Sequence, residues 1–546
     1  MSDICHFNEA LEKTEANHVP LSPLSFIRRA STVYPERTAL IYNDTRYNWR
    51  QTYHRCCQLA SLLTHLGIQK GDTVAVMLPN VPAMYEAHFG IPMVGAVLNA
   101  INIRLDPEAV AFILEHSRSR LLLVDPEYAD VVEKALARLE GPKPKVINVS
   151  DSSQGGERWL GELEYEALLS DQPAREDGSL PADEWDAIAL GYTSGTTGNP
   201  KGVVSHHRGA YLNAVSNVLS WTLPANVVYL WTLPMFHCNG WCFPWTLAAI
   251  GGTSVCLRRV DPEHILALIN QHAITHYCGA PIVHTMIADA AMATQTPIEH
   301  QVYGLIAGAA PPASVLERME KIGVELTHVY GLTETYGPAS VCVKQDDWAQ
   351  CSLEERVRLN GRQGVAYPLQ EGMAVLDSQT LEPVPADGQT IGEIMFRGNI
   401  VMKGYLRNEK ATREAFAGGW FHSGDLAVLE PDGYIKIRDR LKDVIISGGE
   451  NISSLEVEDI VQRHPDVEFV AVVAMANEKW GEVPAAFVQL RQGSELTESE
   501  LISFCRERIS HFKVPKKIIF GSLPTTATGK IQKFELRQKL ADTSSA

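Results

Sequence analysis

Paired cysteines are missing from this sequence. Its 546 residues include ten cysteines, but none forms a CxxC pair or a regular framework, which argues against a disulfide-rich secreted fold. Cys238 and Cys242 lie four apart beside His237, yet no second ligand pair follows, so a metal site there is not favoured. We interpret the cysteines as reduced, mostly buried thiols, and we predict a cytoplasmic protein.

Long apolar runs are also missing. The longest apolar region, 89–103, is interrupted by Asn99 and Asn102, so it is too short and too polar to span a membrane. Residues 1–20 carry four acidic side chains and no apolar core, and we therefore expect no signal peptide. The final residues, Ser544-Ser545-Ala546, do not match a peroxisomal signal of the Ser-Lys-Leu type.

Positive charge is in short supply. The 48 lysines and arginines face 65 aspartates and glutamates, and the formal net charge is −17. Nucleic-acid-binding proteins usually present a basic surface, so that function class is not favoured. A polyanionic small molecule is still compatible, because a few local donors can hold phosphates. One basic stretch near the C-terminus is either a solvated helix face or a local anion site. It comprises Lys513, Lys516, Lys517, Lys530, Lys533 and Arg537.

Strand-like apolar runs alternate with helix-like stretches through most of the chain. The run 73–78 is followed by a Pro79-Asn80 turn and a helical pattern, and 121–124 is a second run. A third run, 187–192, leads into a loop rich in glycine and threonine. Alternation of this kind favours an α/β fold with largely parallel strands. A chain of this length is also expected to form two or three structural units.

The character of the sequence changes near residue 440. A charged segment, 438–443, follows a strand-like run and precedes another apolar run. Beyond it, 453–456 and 497–500 have the spacing of capping boxes that open helices, and 469–475 and 485–490 have strand-like patterns. We predict two domains, residues 1–440 and a smaller α+β domain of residues 441–546, joined by a polar hinge.

The strongest local motif is a loop rich in glycine and hydroxyl groups. It reads Thr193-Ser194-Gly195-Thr196-Thr197-Gly198-Asn199-Pro200-Lys201-Gly202. Glycines permit sharp turns, hydroxyls and backbone amides can cradle phosphate oxygens, and the lysine adds a positive charge. The spacing differs from that of a Walker A loop, since glycine follows the lysine. We predict a phosphate-binding loop unlike that of P-loop NTPases, with a flexible polar loop as the alternative.

This loop resembles the signature of the adenylate-forming superfamily, which contains acyl-CoA synthetases, firefly-type luciferases and peptide-synthetase adenylation domains. Four further segments match that family in order: 330–335, 420–425, 438–442 with Gly448-Gly449-Glu450, and 524–530. The resemblance covers nearly the whole chain. It implies an α/β fold with a large, multi-layer N-terminal domain of mixed sheets and a small, mobile C-terminal domain.

The same resemblance implies how ATP binds. Glu334 would be the oxygen ligand of Mg²⁺ on the ATP phosphates, Tyr330 would stack on the adenine, and Asp425 with Arg440 would hold the ribose. Taken singly, each has an ordinary alternative as a surface charge or a structural turn. The predicted ATP-binding residues are Thr193, Ser194, Gly195, Thr196, Thr197, Gly198, Lys201, Gly308, Ala309, Ala310, Tyr330, Gly331, Thr333, Thr335, Asp425 and Arg440.

A two-step mechanism with a swinging domain follows from the resemblance. The substrate carboxylate attacks the α-phosphorus of ATP, and coenzyme A then takes the acyl group. Lys530 would bridge the carboxylate and the α-phosphate, where negative charge crowds. The small domain would turn about Lys442, and Gly448 with Gly449 would then form a narrow tunnel for the pantetheine arm of coenzyme A.

The acid substrate is predicted from an aromatic-rich segment, 231–245. It resembles the acyl-pocket segment of plant acyl-activating enzymes and bacterial short- and medium-chain acyl-CoA ligases. His237 would gate the pocket, and Trp231, Cys238 and Trp241 would line it. A tryptophan-rich core helix is the structural alternative. No charged group marks an amino-acid substrate, so we expect a short- or medium-chain fatty acid or a simple aromatic acid.

The predicted protein is thus an AMP-forming acyl-CoA ligase of fatty acid metabolism that uses Mg²⁺, ATP and coenzyme A. Its catalytic residues would be Lys530, Glu334 and His237. Two alternatives remain: an enzyme that loads a separate carrier protein, and an inactive nucleotide-binding relative. Whether the chain forms a homodimer is left open.

Overall fold

The computed structural model describes residues 11–151, 153, 158–175, 180–193, 200–308, 313–448, 450–477, 479–526 and 531–544. The first strands in these ranges are β1 (Thr38–Tyr42), β2 (Thr45–Asn48), β3 (Thr73–Met77), β4 (Val97–Ala100), β5 (Ser119–Val124), β6 (Lys145–Asn148), β7 (Ala187–Thr193), β8 (Lys201–His206), β9 (Val228–Leu230), β10 (Thr253–Val255), β11 (His276–Gly279), β12 (Val302–Ile306) and β13 (Val324–Leu332). The later ones are β14 (Gly337–Val341), β15 (Val365–Ala366), β16 (Gly372–Leu376), β17 (Gly392–Arg397), β18 (Gly404–Tyr405), β19 (Phe421–Leu429), β20 (Ile435–Arg440), β21 (Ile445–Ser447), β22 (Glu450–Ile452), β23 (Val467–Asn477), β24 (Gly481–Leu490) and β25 (Lys517–Phe520).

The helices of the same ranges lie mostly between parallel strands. Those of the first half are α1 (Leu24–Val33), α2 (Trp49–His65), α3 (Pro82–Met93), α4 (Pro107–Ser117), α5 (Ala129–Arg138), α6 (Tyr165–Ser170), α7 (His207–Ser220), the four-residue helical turn α8 (Cys238–Trp241), α9 (Phe243–Ile250) and α10 (Pro262–Gln271). The others are α11 (Pro281–Thr294), α12 (Ala313–Lys321), α13 (Leu353–Asn360), α14 (Glu409–Ala415), α15 (Ser454–Gln462), α16 (Glu498–Arg506) and α17 (Lys533–Ser544). None of these helices, within the residues described, is both long and apolar enough to cross a membrane.

Two large mixed sheets form the centre of the N-terminal part. In the nine-stranded sheet, order β15-β14-β13-β12-β11-β9-β10-β1-β2, the strands from β13 to β1 are parallel and the edges are antiparallel. In the seven-stranded sheet, order β18-β8-β7-β4-β3-β5-β6, only the pairings of β8 with β7 and with β18 are antiparallel. The predicted α/β class with mixed sheets is therefore confirmed.

The main core lies around α3, which is buried on nearly every side. A helix with such a surface is a core helix of a large protein. It follows β3, as the turn signal at Pro79-Asn80 predicted. Two smaller sheets complete the fold: β16-β17-β19-β20, and the sheet β22-β21-β24-β23 with β25 beside β24. The last sheet has its own apolar core against α15 and α16.

Local capping signals gave the helices of the small C-terminal part. Ser453 caps α15, because its hydroxyl accepts the backbone N–H of Glu456. Thr497 and Glu500 form the complete capping box at the start of α16. These side chains satisfy backbone donors that the first turn of a helix leaves free. The boundary itself, placed at 440/441, stays a prediction.

Several hydrogen bonds join the two sides of the predicted hinge. Lys442 is exposed in the turn between β20 and β21. Asp439, on the N-terminal side of Lys442, accepts hydrogen bonds from the backbone N–H and the hydroxyl of Ser454, on its C-terminal side. Lys533 of α17 donates to that hydroxyl (2.6 Å) and pairs with Glu458 (2.7 Å). Lys533 thus belongs to a partly buried ion-pair network rather than to a solvated helix face.

Candidate active site

The predicted phosphate loop connects two antiparallel strands. β7 ends at Thr193, β8 begins at Lys201, and these two residues pair across the ladder. A Walker A loop joins a strand to a helix, so the hairpin accounts for the different spacing. Lys201 is exposed at the start of β8. The predicted residues Ser194, Gly195, Thr196, Thr197 and Gly198 lie outside the described residues.

Glu334 lies beside this hairpin, and a tyrosine connects the two. The Tyr405 hydroxyl donates to Glu334 Oε1 (2.8 Å), and Lys201 Nζ lies 4.6 Å from the centre of the Tyr405 ring. Burial raises the pKa of Glu334 above its ordinary value, while the hydrogen bond from Tyr405 and the charge of Lys201 oppose that shift. Tyr405 thus contacts both the Glu334 carboxylate, through its hydroxyl, and the Lys201 ammonium group, through its ring.

Tyr405 was not predicted from the sequence. It lies in the two-residue strand β18, where it pairs with Val203 of β8. Leu406 N–H donates to the Gly202 carbonyl (2.7 Å) and extends that attachment. Because the pairing joins segments about 200 residues apart, no local motif carries it. An aromatic residue in a short strand-like segment was the only signal.

The threonines flanking Glu334 have different surroundings. Thr333 is half-buried, and its hydroxyl lies 3.4 Å from Cys238 Sγ in the acyl segment. Thr335 is fully buried, and its hydroxyl accepts the Leu332 N–H (2.9 Å) and reaches the Gly337 carbonyl (2.8 Å). The Thr335 hydroxyl therefore holds the turn, and the contact of this residue with ATP stays a prediction.

Gly331 stands where the hairpin β13–β14 closes most tightly. A Cβ atom at this position would lie 1.9 Å from the Gly337 carbonyl oxygen, much closer than any real contact. The strand pairing shifts register at the same point, between Tyr330 and Gly331. Gly331 therefore lets the backbone turn toward Thr333 and Glu334, and its side chain, a single hydrogen, makes room for that turn.

Three residues predicted to hold adenine and ribose come together. The Tyr330 hydroxyl donates to Asp425 Oδ2 (2.6 Å), and Arg440 Nε lies 3.1 Å from Asp425 Oδ1. Asp425 and Arg440 face each other across β19 and β20. Burial first, and then the Asp425 charge, raises the pKa of Tyr330 well above its ordinary value, so its hydroxyl keeps its proton.

Gly308 lies at the carboxyl end of a parallel strand, near the same cluster. It follows β12, whose last residue Ile306 pairs with His328 of β13, two residues before Tyr330. Its φ of +91° suits glycine. Carboxyl ends of parallel strands are the usual ligand edge of such sheets. Ala309 and Ala310, which were predicted with it, lie outside the described residues.

The aromatic acyl segment is mostly core. Trp231 and Trp245 are fully buried, whereas Trp241 is 7% and Cys238 9% exposed. Trp231 thus packs as a core side chain after β9, and its part in the acyl pocket stays a prediction. His237 is half-buried, with Nε2 at 4.0 Å from Cys238 Sγ. Burial raises the pKa of Cys238 to about 12, which makes it a neutral wall residue rather than a nucleophile.

The turn α8 and the residue after it have a left-handed backbone. The φ angles are +40° at Cys238, +42° at Asn239, +58° at Gly240, +53° at Trp241 and +63° at Cys242. A left-handed conformation costs about 1–2 kcal/mol for each residue other than glycine. Four such residues among five consecutive positions require strong tertiary contacts, and strain of this kind concentrates at functional sites. Asn239-Gly240 is the one local signal for this turn in the segment.

The predicted coenzyme A and hinge residues are only partly described. Gly448 is exposed with φ +60°, and a Cβ there would meet the Trp480 ring at 2.8 Å, so only glycine fits beside that ring. Its N–H donates to the Trp480 carbonyl (2.7 Å). Gly449 and Lys530 lie outside the described residues.

Two family models match most of the chain. Residues 27–406 match the family model described as AMP-binding enzyme, and residues 456–530 match the AMP-binding enzyme C-terminal domain. The chain is similar to the acetate/butyrate–CoA ligase AAE7 of Arabidopsis thaliana (51% identity; 97% of this chain and 96% of the relative) and to the acetate–CoA ligase CCL3 of Humulus lupulus (49%; 97% and 96%). It is also similar to the trans-cinnamate:CoA ligase of Petunia hybrida (45%; 97% and 96%).

A solved structure supports the fold over the whole length. The anthranilate CoA ligase AuaEII, crystallised with anthranoyl-AMP, superposes with a TM-score of 0.85 at 25% identity. The alignment covers 98% of this chain and 100% of the other.

The relatives contradict the predicted cytoplasmic location. The Arabidopsis acetate/butyrate ligase and the Petunia cinnamate ligase are both peroxisomal by name. The prediction was wrong because it rested on reduced cysteines and on the lack of a secretory signal. Neither property distinguishes the cytosol from a peroxisome.

Proposed function

Because this chain belongs to the AMP-binding enzyme family and is an ATP-dependent acyl-CoA ligase, we propose that its acid substrate is a short aliphatic one. The observation that carries the proposal is the close packing of the acyl segment against its neighbours. Its left-handed turn brings Cys238 to 3.4 Å from Thr333, and Trp231 fills the space behind Gly240, where a Cβ would meet that ring at 2.9 Å. The two acetate ligases among the relatives support the same size class.

The proposed first step joins the acid to AMP. The carboxylate oxygen forms a bond to the α-phosphorus, and the bond to pyrophosphate breaks. Asp425 would accept the ribose hydroxyls, since each carboxylate oxygen has a lone pair beyond those used by Tyr330 and Arg440. Tyr330 would offer its ring to the adenine. Held this way, the nucleotide would present its phosphates to Lys201 and Thr333.

Glu334 fits the proposed Mg²⁺ site. It supplies a carboxylate oxygen, the ligand type this ion prefers, and Mg²⁺ is usually bound by one or two carboxylates together with substrate phosphates and water. When bound, the ion would neutralise charge on the phosphates. Within the described residues no cluster of three or more metal-ligating side chains exists.

The proposed second step transfers the acyl group to coenzyme A. The thiolate attacks the carbonyl carbon, the bond to AMP breaks, and a thioester forms. Gly448 would leave room for the pantetheine arm after the small domain has turned. A short fatty acid as the substrate would place the enzyme in fatty acid metabolism.

Pyrophosphate release with Mg-ATP tests the acid. We expect acetate to butyrate to give turnover that depends on coenzyme A, with hexanoate and longer acids at least about tenfold weaker in kcat/KM, as a closed hydrophobic pocket allows. Benzoate and cinnamate serve as the aromatic set, which the Petunia relative favours as the second candidate. A clear preference for cinnamate would overturn the short-acid proposal. Release without any need for coenzyme A would point to a carrier-loading enzyme.

Lys530→Ala should separate the two steps. We expect the rate of adenylation to fall by about a hundredfold to a thousandfold, because the substrate carboxylate and the α-phosphate lose the positive charge between them. Acyl transfer from preformed acyl-AMP should survive. Single-turnover assays of each half-reaction measure this. The exposed Lys410→Ala is the matched control and should change neither step. An equal loss in both steps would rule out the two-orientation mechanism.

A further inference from the structure

Two buried asparagines on α7 reach the two loops that meet in the active site. Asn213 and Asn217 are one helical turn apart, and both are buried. Asn217 Nδ2 donates to the Trp241 carbonyl (2.9 Å) and to Thr246 Oγ1 (3.1 Å). Residues four apart lie on one helix face, so Asn213 points to the same side of α7.

Asn213 holds the other loop. Its Nδ2 lies within hydrogen-bond distance of the carbonyls of Thr335 (3.2 Å), Tyr336 (3.4 Å) and Pro338 (3.2 Å). These carbonyls directly follow Glu334. One face of α7 thus donates hydrogen bonds both to the left-handed turn of the acyl segment and to the loop that carries Thr333 and Glu334.

The two loops also contact each other directly. A Cβ at Gly337 would lie 3.1 Å from Trp241 Cα, and Cys242 Sγ lies 3.3 Å from the Tyr336 carbonyl. The left-handed turn is unfavourable by itself and needs such contacts to persist. Neither asparagine Oδ1 has a hydrogen-bond partner within the described residues. A buried amide oxygen without a partner is unfavourable, so it offsets part of the stability that the donated hydrogen bonds supply.

We propose that Asn213 and Asn217 are positioning residues that set the distance between the bound acid and the α-phosphate. Asn217 fixes the acyl side by holding the left-handed turn, and Asn213 fixes the phosphate side by holding the loop after Glu334. Neither touches a substrate. The proposal rests on the proposed adenylation of a carboxylic acid, because in-line attack requires the two reactants to be placed accurately.

Alanine variants of the two asparagines should change different KM values. We expect Asn217→Ala to raise the KM for butyrate and lower kcat for pyrophosphate release, each by about tenfold, since misplacement of about 1 Å can cost up to a hundredfold in rate. The KM for Mg-ATP should stay within about twofold. Asn213→Ala should show the opposite split, with a raised KM for Mg-ATP and an unchanged KM for butyrate.

Asn148→Ala is the structural control. Asn148 is also buried, and its Nδ2 donates to the carbonyls of Leu160 (3.1 Å) and Leu163 (2.9 Å), away from the site. It loses the same kind of hydrogen bond, so it should lower the melting temperature as the other two variants do. Both KM values and kcat should stay unchanged in this variant.

A rescue variant tests the role of the strained turn. Glycine tolerates positive φ, so Asn239→Gly lowers the energy needed to keep the turn left-handed. Asn217→Ala/Asn239→Gly should regain at least about half of the lost affinity for butyrate on a logarithmic scale, because the turn then needs less holding. Combining Asn239→Gly with Asn148→Ala should give no such coupling.

The outcomes decide the proposal separately from the substrate assignment. Equal changes in both KM values for both variants, or unchanged KM values with a lowered melting temperature, would overturn it. If one asparagine variant does not fold, the other still shows the split or lacks it. If the unaltered enzyme prefers cinnamate to butyrate, the short-acid proposal fails, and the same measurements with cinnamate decide the positioning role.

Discussion

Gly331→Ala is expected to lower adenylation by about a hundredfold or more, because the new methyl group must displace the loop that carries Thr333 and Glu334. Its Cβ would lie 1.9 Å from the Gly337 carbonyl oxygen and 2.8 Å from Pro338 Cα, and backbone atoms cannot rotate away as a side chain can. The overlap should also lower the free energy of unfolding by about 1–3 kcal/mol. Single-turnover formation of acyl-AMP and urea unfolding measure the two effects.

Gly141→Ala is the matched control for this change. Gly141 is exposed, and the nearest atom to a Cβ there is Glu115 Oε1 at 3.8 Å, an ordinary contact. This variant should keep full activity, and it should be as stable as the unchanged chain or slightly more stable, since alanine restricts the unfolded chain. Full adenylation by Gly331→Ala would show that the hairpin can open without loss, and the tight closure would then have no part in the chemistry.

Acid is expected to unfold the protein steeply between about pH 6.5 and 4. Burial lowers the pKa of six histidines to about 4; they are His88, His206, His207, His276, His284 and His328. An unfolded chain binds these protons below about pH 6.5, but the folded chain does not until about pH 4. The contribution of these neutral histidines to the free energy of unfolding is therefore fully present above pH 6.5. It falls as the pH drops, by at most about 1.4 kcal/mol per pH unit for each histidine.

Urea unfolding at a series of pH values between 7.5 and 4.5 measures this slope. His276→Gln removes one such group at a place remote from the predicted site, where burial alone accounts for the lowered pKa. The variant should lose stability at pH 7 and show a shallower dependence on pH. His65→Gln, at an exposed position, is the control. A stability that does not change between pH 6.5 and 4.5 would contradict the prediction.

Local signals in the sequence were enough for much of the fold. The capping residues Ser453 and Thr497 act on backbone groups three residues away, and the run of β3 followed by Pro79-Asn80 acts over a few residues. Asp425 and Arg440 were predicted through the family resemblance, and the pairing of β19 with β20 brings them together. What the patterns predicted well depends on neighbours in the chain or on motifs spread along all of it.

Other features depend on contacts that no motif contains. Tyr405 reaches Glu334 only because the two-residue strand β18 pairs with β8. Trp231 and Trp241 look alike in the sequence, but burial separates a core residue from one with some exposed surface. Thr335 belongs to a motif, and yet its hydroxyl is used up inside the turn. The left-handed turn is stable only through packing, which composition does not show.

The hydrogen bonds between Asp439 and Ser454 would oppose the proposed rotation of the small domain. If the small domain turns about Lys442, these buried hydrogen bonds must break before the acyl group is transferred to coenzyme A. They must form again before the next ATP is used. The same network anchors Lys533, three residues after Lys530. The rate of turnover would then be set by a domain rotation at residues that neither substrate contacts. Substituting Asp439 would change kcat without changing the KM for the acid or for ATP.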